Sequence, residues 1–155
     1  MVEITNLDLI AKARSVVHPQ QVGDRLFGDV GCALLTEGGN LYLGVCIDTG
    51  SGTGFCAEHS AIAAMVTAGE YRIKKIVAVW LDGQDVYVLS PCGRCREFMH
   101  QVDPENLETE VVMDASFSLK LSDLLPYAGW FQKILGDSAD KDRPSSQRAL
   151  DQNDI

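Results

Sequence analysis

Two short stretches hold side chains that can do chemistry together: Cys56-Ala57-Glu58, and Pro91-Cys92-Gly93-Arg94-Cys95. Zinc favours thiolate and imidazole ligands in a tetrahedron, and a Cys-x-x-Cys pair on the first turn of a helix can aim both sulfurs at one ion. Cys56, at the start of another helix, supplies a third sulfur. Three protein ligands leave one position for water, which separates a catalytic zinc from a closed structural one. Glu58 lies two residues beyond Cys56 and can reach that water without binding the metal. A positioned carboxylate that takes a proton and returns it is worth roughly 10²–10⁴ in rate. Helix starts suit such a cage, because three thiolates on Zn²⁺ leave a net negative charge and each helix N-terminus offers free N–H groups and a partial positive charge. Arg94 and Arg96 add cations nearby.

Positioning these residues takes a scaffold. The segment TNLDLIAKARSVVHPQ places Leu7, Ile10, Ala11 and Val17 at helical spacing, and Pro19 closes it. DVGCALLTEGGNLYLGVCI holds two β-prone runs on either side of EGGN, a turn typical of tight hairpins. The glycines of DTGSGTG disfavour a strand and give a flexible, substrate-facing approach to the helix that begins at Cys56 and ends near Gly69. KKIVAVWL reads as a strand covered on both faces, and DGQ turns it into DVYVLS. PCGRCREFMHQV is a second short helix, TEVVMD a further strand, and LKLSDLLPYAGWF a final helical stretch. This order predicts an α/β fold, a three-layer α/β/α sandwich around a central mixed sheet. Residues 1–135 form one domain, and the polar segment 136–155 is expected to be a disordered tail.

Composition narrows the partners. A formal charge of −9 is the wrong sign for neutralising phosphates, so a polynucleotide is not expected. The longest apolar run, Ile76 to Leu81, is far below the ~20 residues that span a bilayer, and the first residues lack a signal-peptide pattern. A cytoplasmic protein with no membrane partner is the expectation. Five cysteines, an odd number without secretory context, favour metal or redox chemistry over a disulfide scaffold.

The pairing of Cys-Ala-Glu with Pro-Cys-x-x-Cys resembles the signature of zinc-dependent nucleoside and base deaminases. VGCALLTEGGNLYLG looks like the early hairpin of that family, PCGRCREF like its second motif, and LSDLLPY like its terminal helix. The three-cysteine form and small size are similar to the cytidine deaminase and blasticidin S deaminase branch, over residues from about 5 to 130. The resemblance implies that Cys56, Cys92 and Cys95 hold zinc, that an activated water adds to carbon 4 of a cytosine ring, and that Glu58 carries protons to ring nitrogen 3 and to the departing ammonia. It also implies that the Ala57 N–H and the Ser90 carbonyl contact the pyrimidine, that the substrate is a small nucleoside, and that four copies assemble as a homotetramer in which neighbouring subunits complete each pocket. Where such deaminases carry Asn-x-Glu for the ribose hydroxyls, this chain has Cys46-Ile47-Asp48. Their Phe-x-Val-Gly becomes Gly28-Asp29-Val30-Gly31, with Phe27 one place off. Cys46, Asp48 and Phe27 are therefore the candidate contacts to whatever hangs from the ring, with cytidine as the first substrate and blasticidin S as the alternative.

Other readings of the same residues stand beside this one. Free cysteines are often small buried hydrophobes. CGRC alone could be a redox pair, which leaves Cys56 and Glu58 without a role. A non-catalytic zinc module would close the fourth position with Cys46, Cys32 or His59. His59 itself is expected beside the ligands or in the core, because it follows Glu58 and points about 100° further around the helix. His18 and His100 read as surface or helix-end residues, and Trp80 and Trp130 as core or interface.

Overall fold

A computed structural model describes residues 3–129. Trp130 and the tail expected at 136–155 lie outside the described residues. The chain opens with helix α1 (Asn6–Ser15), fixed at its start by a reciprocal cap. There the Asp8 N–H donates to the Thr5 hydroxyl at 3.1 Å, and the Thr5 N–H donates to the Asp8 carboxylate at 3.0 Å. Strands β1 (Gln20–Val22) and β2 (Arg25–Phe27) make a small separate hairpin. The main sheet begins with β3 (Val30–Thr36) and β4 (Leu41–Val45), which pair antiparallel across the expected Gly-Gly turn. Helix α2 (Ala57–Thr67) follows, with Gly69 beyond its end at φ +83°. Strand β5 (Ile73–Asp82) turns into β6 (Asp85–Leu89), and helix α3 (Gly93–Val102) leads through a 3-10 turn at Pro104–Glu108 to β7 (Glu110–Val112), β8 (Ser118–Lys120) and the short α4 (Leu121–Leu124).

The six strands form one mixed sheet. Strand β5 is its axis: it pairs antiparallel with β3 on one side and, on the other, antiparallel with β6 and parallel with β7. Alternation along β3 and β5 divides the core between two layers. Ala33, Leu35, Val77 and Val79 pack with Leu9 and Ala13 of α1. Cys32, Leu34 and Ile76 pack with Ala61, Ile62 and Met65 of α2 and with Met99 of α3. Ile76 to Val79 are all buried, as a strand covered on both faces requires. The α/β/α sandwich and mixed sheet match the expectation.

Close packing of α2 on β4 needs a residue without a side chain. A Cβ at Gly44 would lie 2.3 Å from the Ala61 nitrogen and 2.7 Å from the Ala57 carbonyl oxygen, so the helix rests directly on the strand backbone. Two elements differ from the sequence expectation. The β1–β2 hairpin is exposed along most of its length, so it leaves no alternating apolar pattern to read. Leu119 and Lys120 join the sheet edge through β8 before α4 starts, because Leu119 pairs with Val111 and Lys120 with Glu110. Among the described residues, no helix is long and apolar enough to cross a membrane.

Candidate active site

Helices α2 and α3 begin beside one another on the same face of the sheet, and their N-caps are Cys56 and Cys92. Cys56 makes no side-chain cap bond. Its Sγ lies 3.7 Å from Cys92 Sγ, which in turn lies 3.5 Å from Cys95 Sγ. Cys56 and Cys95 are within 4.8 Å of each other. Sulfurs bound to one tetrahedral zinc at about 2.3 Å would sit roughly 3.8 Å apart, so these three thiols fit that ion with little movement. His59 Nδ1 is 3.5 Å from Cys95 Sγ, and Cys56, His59 and Cys95 form a second donor set of compatible spacing. The imidazole stacks on Phe98, with centroids 4.3 Å apart and planes 17° apart, which fixes its orientation toward Cys95.

The electrostatics of the cluster call for a cation. Burial first, then Glu58 and the neighbouring thiols, pushes the Cys95 thiol far above its ordinary range. Burial also raises Cys56. At Cys92 burial is outweighed by the Cys95 backbone N–H, the Cys95 and Cys56 thiols and the Arg94 backbone N–H, so that thiol is lowered. Three thiolates in this space need positive charge, and two helix starts supply only part of it. A divalent ion fits both the spacing and the charge.

Glu58, on the first turn of α2, is 5% exposed. Burial raises its carboxyl above the ordinary range, and its own backbone N–H and the Cys95 thiol offset part of the rise. It faces a cavity of about 470 Å³ that also takes in Cys56, Ala57, Ser90, Cys92, Cys46 and Asp48. That volume lies within the usual range for small-molecule sites. The loop between β4 and α2 forms one rim through Thr49, Gly52 and Gly54, as its glycines suggested. Ala57 is the first residue of α2, where a backbone N–H has no partner within the helix.

Phe27 is not among the residues lining this cavity. It ends β2 opposite Gln20 in the separate hairpin, and Gly28 then turns the chain at φ +73° so that Asp29 reaches the cavity instead. Sequence reasoning passed over Asp29; the glycine just before a strand start was the signal. Arg94 lines the cavity and donates from Nη1 to the Gly54 carbonyl at 3.0 Å. Arg96 plays a different part. It donates to the Pro91 carbonyl at 2.7 Å, the Leu124 carbonyl at 3.1 Å and Ser90 Oγ at 3.1 Å, tying down the loop that delivers Cys92. Cys32 is buried in the core. Trp80 tilts against Tyr87 and lies outside the cavity lining.

Comparison with known proteins places this chain in a family. The model of the cytidine and deoxycytidylate deaminase zinc-binding region matches residues 9–110. The chain belongs to this deaminase family. A probable cytidine deaminase of Dictyostelium discoideum is 39% identical over 70 residues, covering 44% of this chain and 46% of that relative. A blasticidin-S deaminase of Bacillus cereus is 37% identical over 82 residues, covering 49% of this chain and 59% of that relative. The chain thus spans about half the length of these curated relatives. A solved variant of cytidine deaminase from Mycobacterium tuberculosis superimposes with a TM-score of 0.67 at 26% identity, covering 82% of this chain and 99% of the other. The deaminase family match makes zinc the ion this sulfur cluster is suited to.

Proposed function

We propose that the protein is a zinc-dependent aminohydrolase that removes the ring amino group of a cytosine nucleoside, cytidine or deoxycytidine, as ammonia. The observation that carries this reading is the shared cavity: the buried Glu58 lines it together with Cys56 and Cys92, the Cys95 sulfur lies 3.5 Å behind Cys92, and the space is large enough for a pyrimidine.

Cys56, Cys92 and Cys95 would hold the ion, and the chemistry it supplies when bound is the acidification of a water molecule. The other roles fall to the chain. Glu58 takes a proton from that water, gives it to ring nitrogen 3, and delivers a second proton to the leaving amino group, so that water and the cytosine ring become a uracil ring and ammonia. The Ala57 N–H donates to the pyrimidine carbonyl oxygen, and the Ser90 carbonyl accepts from the amino group. Cys46 and Asp48 face the substituent on the ring. His59, in the tautomer carrying hydrogen on Nδ1, donates to Cys95 Sγ and supports a ligand without being one. The homotetramer that goes with this reading has support in exposed apolar residues such as Val22, Trp80 and Tyr87. Light scattering tests that assembly, and cell fractionation tests the cytoplasmic location.

Metal analysis should find one zinc per chain, and Glu58→Gln should keep that zinc while losing roughly 10²–10⁴ of kcat on cytidine. Blasticidin S is the second substrate to assay by ammonia release. Full activity without metal, or in Glu58→Gln, would overturn the proposal.

A further inference from the structure

The cavity has a second wall, away from the sulfurs, made by Asp29, Cys46 and Asp48. Cys46 Sγ donates to Asp29 Oδ1 at 2.9 Å, and the ligand atoms of all three residues lie within 4.8 Å of one another. Cys46 is 6% exposed and its backbone is fixed at both ends. Its N–H donates to the Val30 carbonyl at 3.1 Å, and its carbonyl accepts from the Gly28 N–H at 3.3 Å. A Cβ at Gly28 would meet the His18 carbonyl oxygen at 3.0 Å in a left-handed backbone, so this position cannot present a side chain and the wall begins at Asp29.

We propose that Asp29 is a specificity-determining residue: with Cys46 and Asp48 it makes an acidic wall that accepts an uncharged hydroxyl-bearing or cationic substituent on the cytosine ring and rejects a 5′-phosphate. This rests on the deaminase reading above and selects within the two substrate classes that the family's description names, the nucleoside and the nucleotide. Two carboxylates this close favour hydrogen-bond donors and disfavour another anion. Among the described residues, Arg94 is the one Arg or Lys in the cavity lining, and its Nη1 is held at 3.0 Å by the Gly54 carbonyl, on the loop that leads to Cys56. Within the cavity lining, a phosphate at the acidic wall would meet no cation other than Arg94. Burial, followed by the bond to Asp29, raises the Cys46 thiol, in keeping with its place as the donor to Asp29 Oδ1.

The test compares kcat/KM of the zinc-loaded protein for cytidine, cytidine 5′-monophosphate and 5′-amino-5′-deoxycytidine, in the wild type, Asp29→Asn and Asp29→Glu. Calorimetric binding of uridine and uridine 5′-monophosphate gives a readout without turnover. The wild type should use the monophosphate at least ~10²-fold less efficiently than cytidine and the amino analogue at least as well as cytidine. Asp29→Asn should raise KM for cytidine about 10-fold with little change in kcat, and should narrow the cytidine-to-monophosphate ratio about 10-fold, while Asp29→Glu restores it. Equal wild-type efficiency on both substrates, or an unchanged ratio in Asp29→Asn, overturns the proposal. Wild-type protein that turns over none of the three defeats the deaminase reading, and the uridine binding ratio then still decides the role of Asp29: equal affinities refute it. Thermal melts identify a misfolded variant, in which case the wild-type preference decides the outcome.

Discussion

Cys92 and Cys46 line one cleft and are prepared for opposite roles. Cys92 caps α3, where backbone N–H groups point at its sulfur and lower its pKa despite burial. Cys46 follows the end of β4, where burial and a carboxylate 2.9 Å away raise it. The same side chain is eased toward ionisation in one place and held as a hydrogen-bond donor in the other. What decides is the local field: the helix start outweighs burial at Cys92, whereas at Cys46 the backbone of Val30 and Gly28 only partly offsets burial and Asp29.

The largest expected effect separates these two sulfurs by metal content. Cys92→Ala should weaken zinc binding by more than the roughly 10–100-fold typical of losing a supporting residue, whereas Cys46→Ala should retain one zinc per chain in the same metal analysis. Zinc loss in Cys46→Ala would erase the distinction. Gly44→Ala comes next, because it strikes where the strand leading to Cys46 meets the helix carrying Glu58. A methyl at 2.3 Å from the Ala61 nitrogen should cost about 1–3 kcal/mol or more and lower the denaturant midpoint. An unchanged midpoint would mean that α2 does not rest on β4 as described.

His59→Gln sharpens the line between ligand and support at the sulfur end. If His59 only donates to Cys95, zinc affinity in a competition titration should fall roughly 10–100-fold; a loss as large as that of Cys92→Ala would make His59 a ligand. The smallest effect is a control for the acidic wall. Glu70 lies outside the cleft and is fully supplied with donors: hydrogen bonds from Thr36, Tyr42 and Asn40 lower its pKa below 4.5. Its stabilisation is therefore present above 4.5 and is lost as pH falls through the lower folded value. Melts of Glu70→Gln against wild type should show a small gap near neutrality that closes in acid; a gap independent of pH would contradict this.

The two ends of the cleft were unequally visible in the sequence. Cys56 with Glu58, and Cys92 with Cys95, could be read as candidates because each pair has a short spacing at a helix start; that the two pairs meet, Cys56 and Cys92 being 36 positions apart, is a tertiary contact. The acidic wall depends on a meeting of chain segments: Asp29 and Cys46 are 17 positions apart. The positive φ of Gly28 shifts the expected contact from Phe27 to Asp29, which no periodicity announces. His59 illustrates the same limit. Its position on α2 turns it away from Cys56, yet its approach to Cys95 arises only when α3 and Phe98 pack beside it. Strand β8 was hidden because its three residues lie within an apolar spacing that also suits a helix.

The most direct test is X-ray absorption at the zinc edge of the purified protein. The account predicts three sulfurs at about 2.3 Å and one oxygen at about 2.0 Å, without the outer-shell scattering of an imidazole. Two sulfurs with a histidine nitrogen, or a fourth protein ligand closing the site, would contradict it.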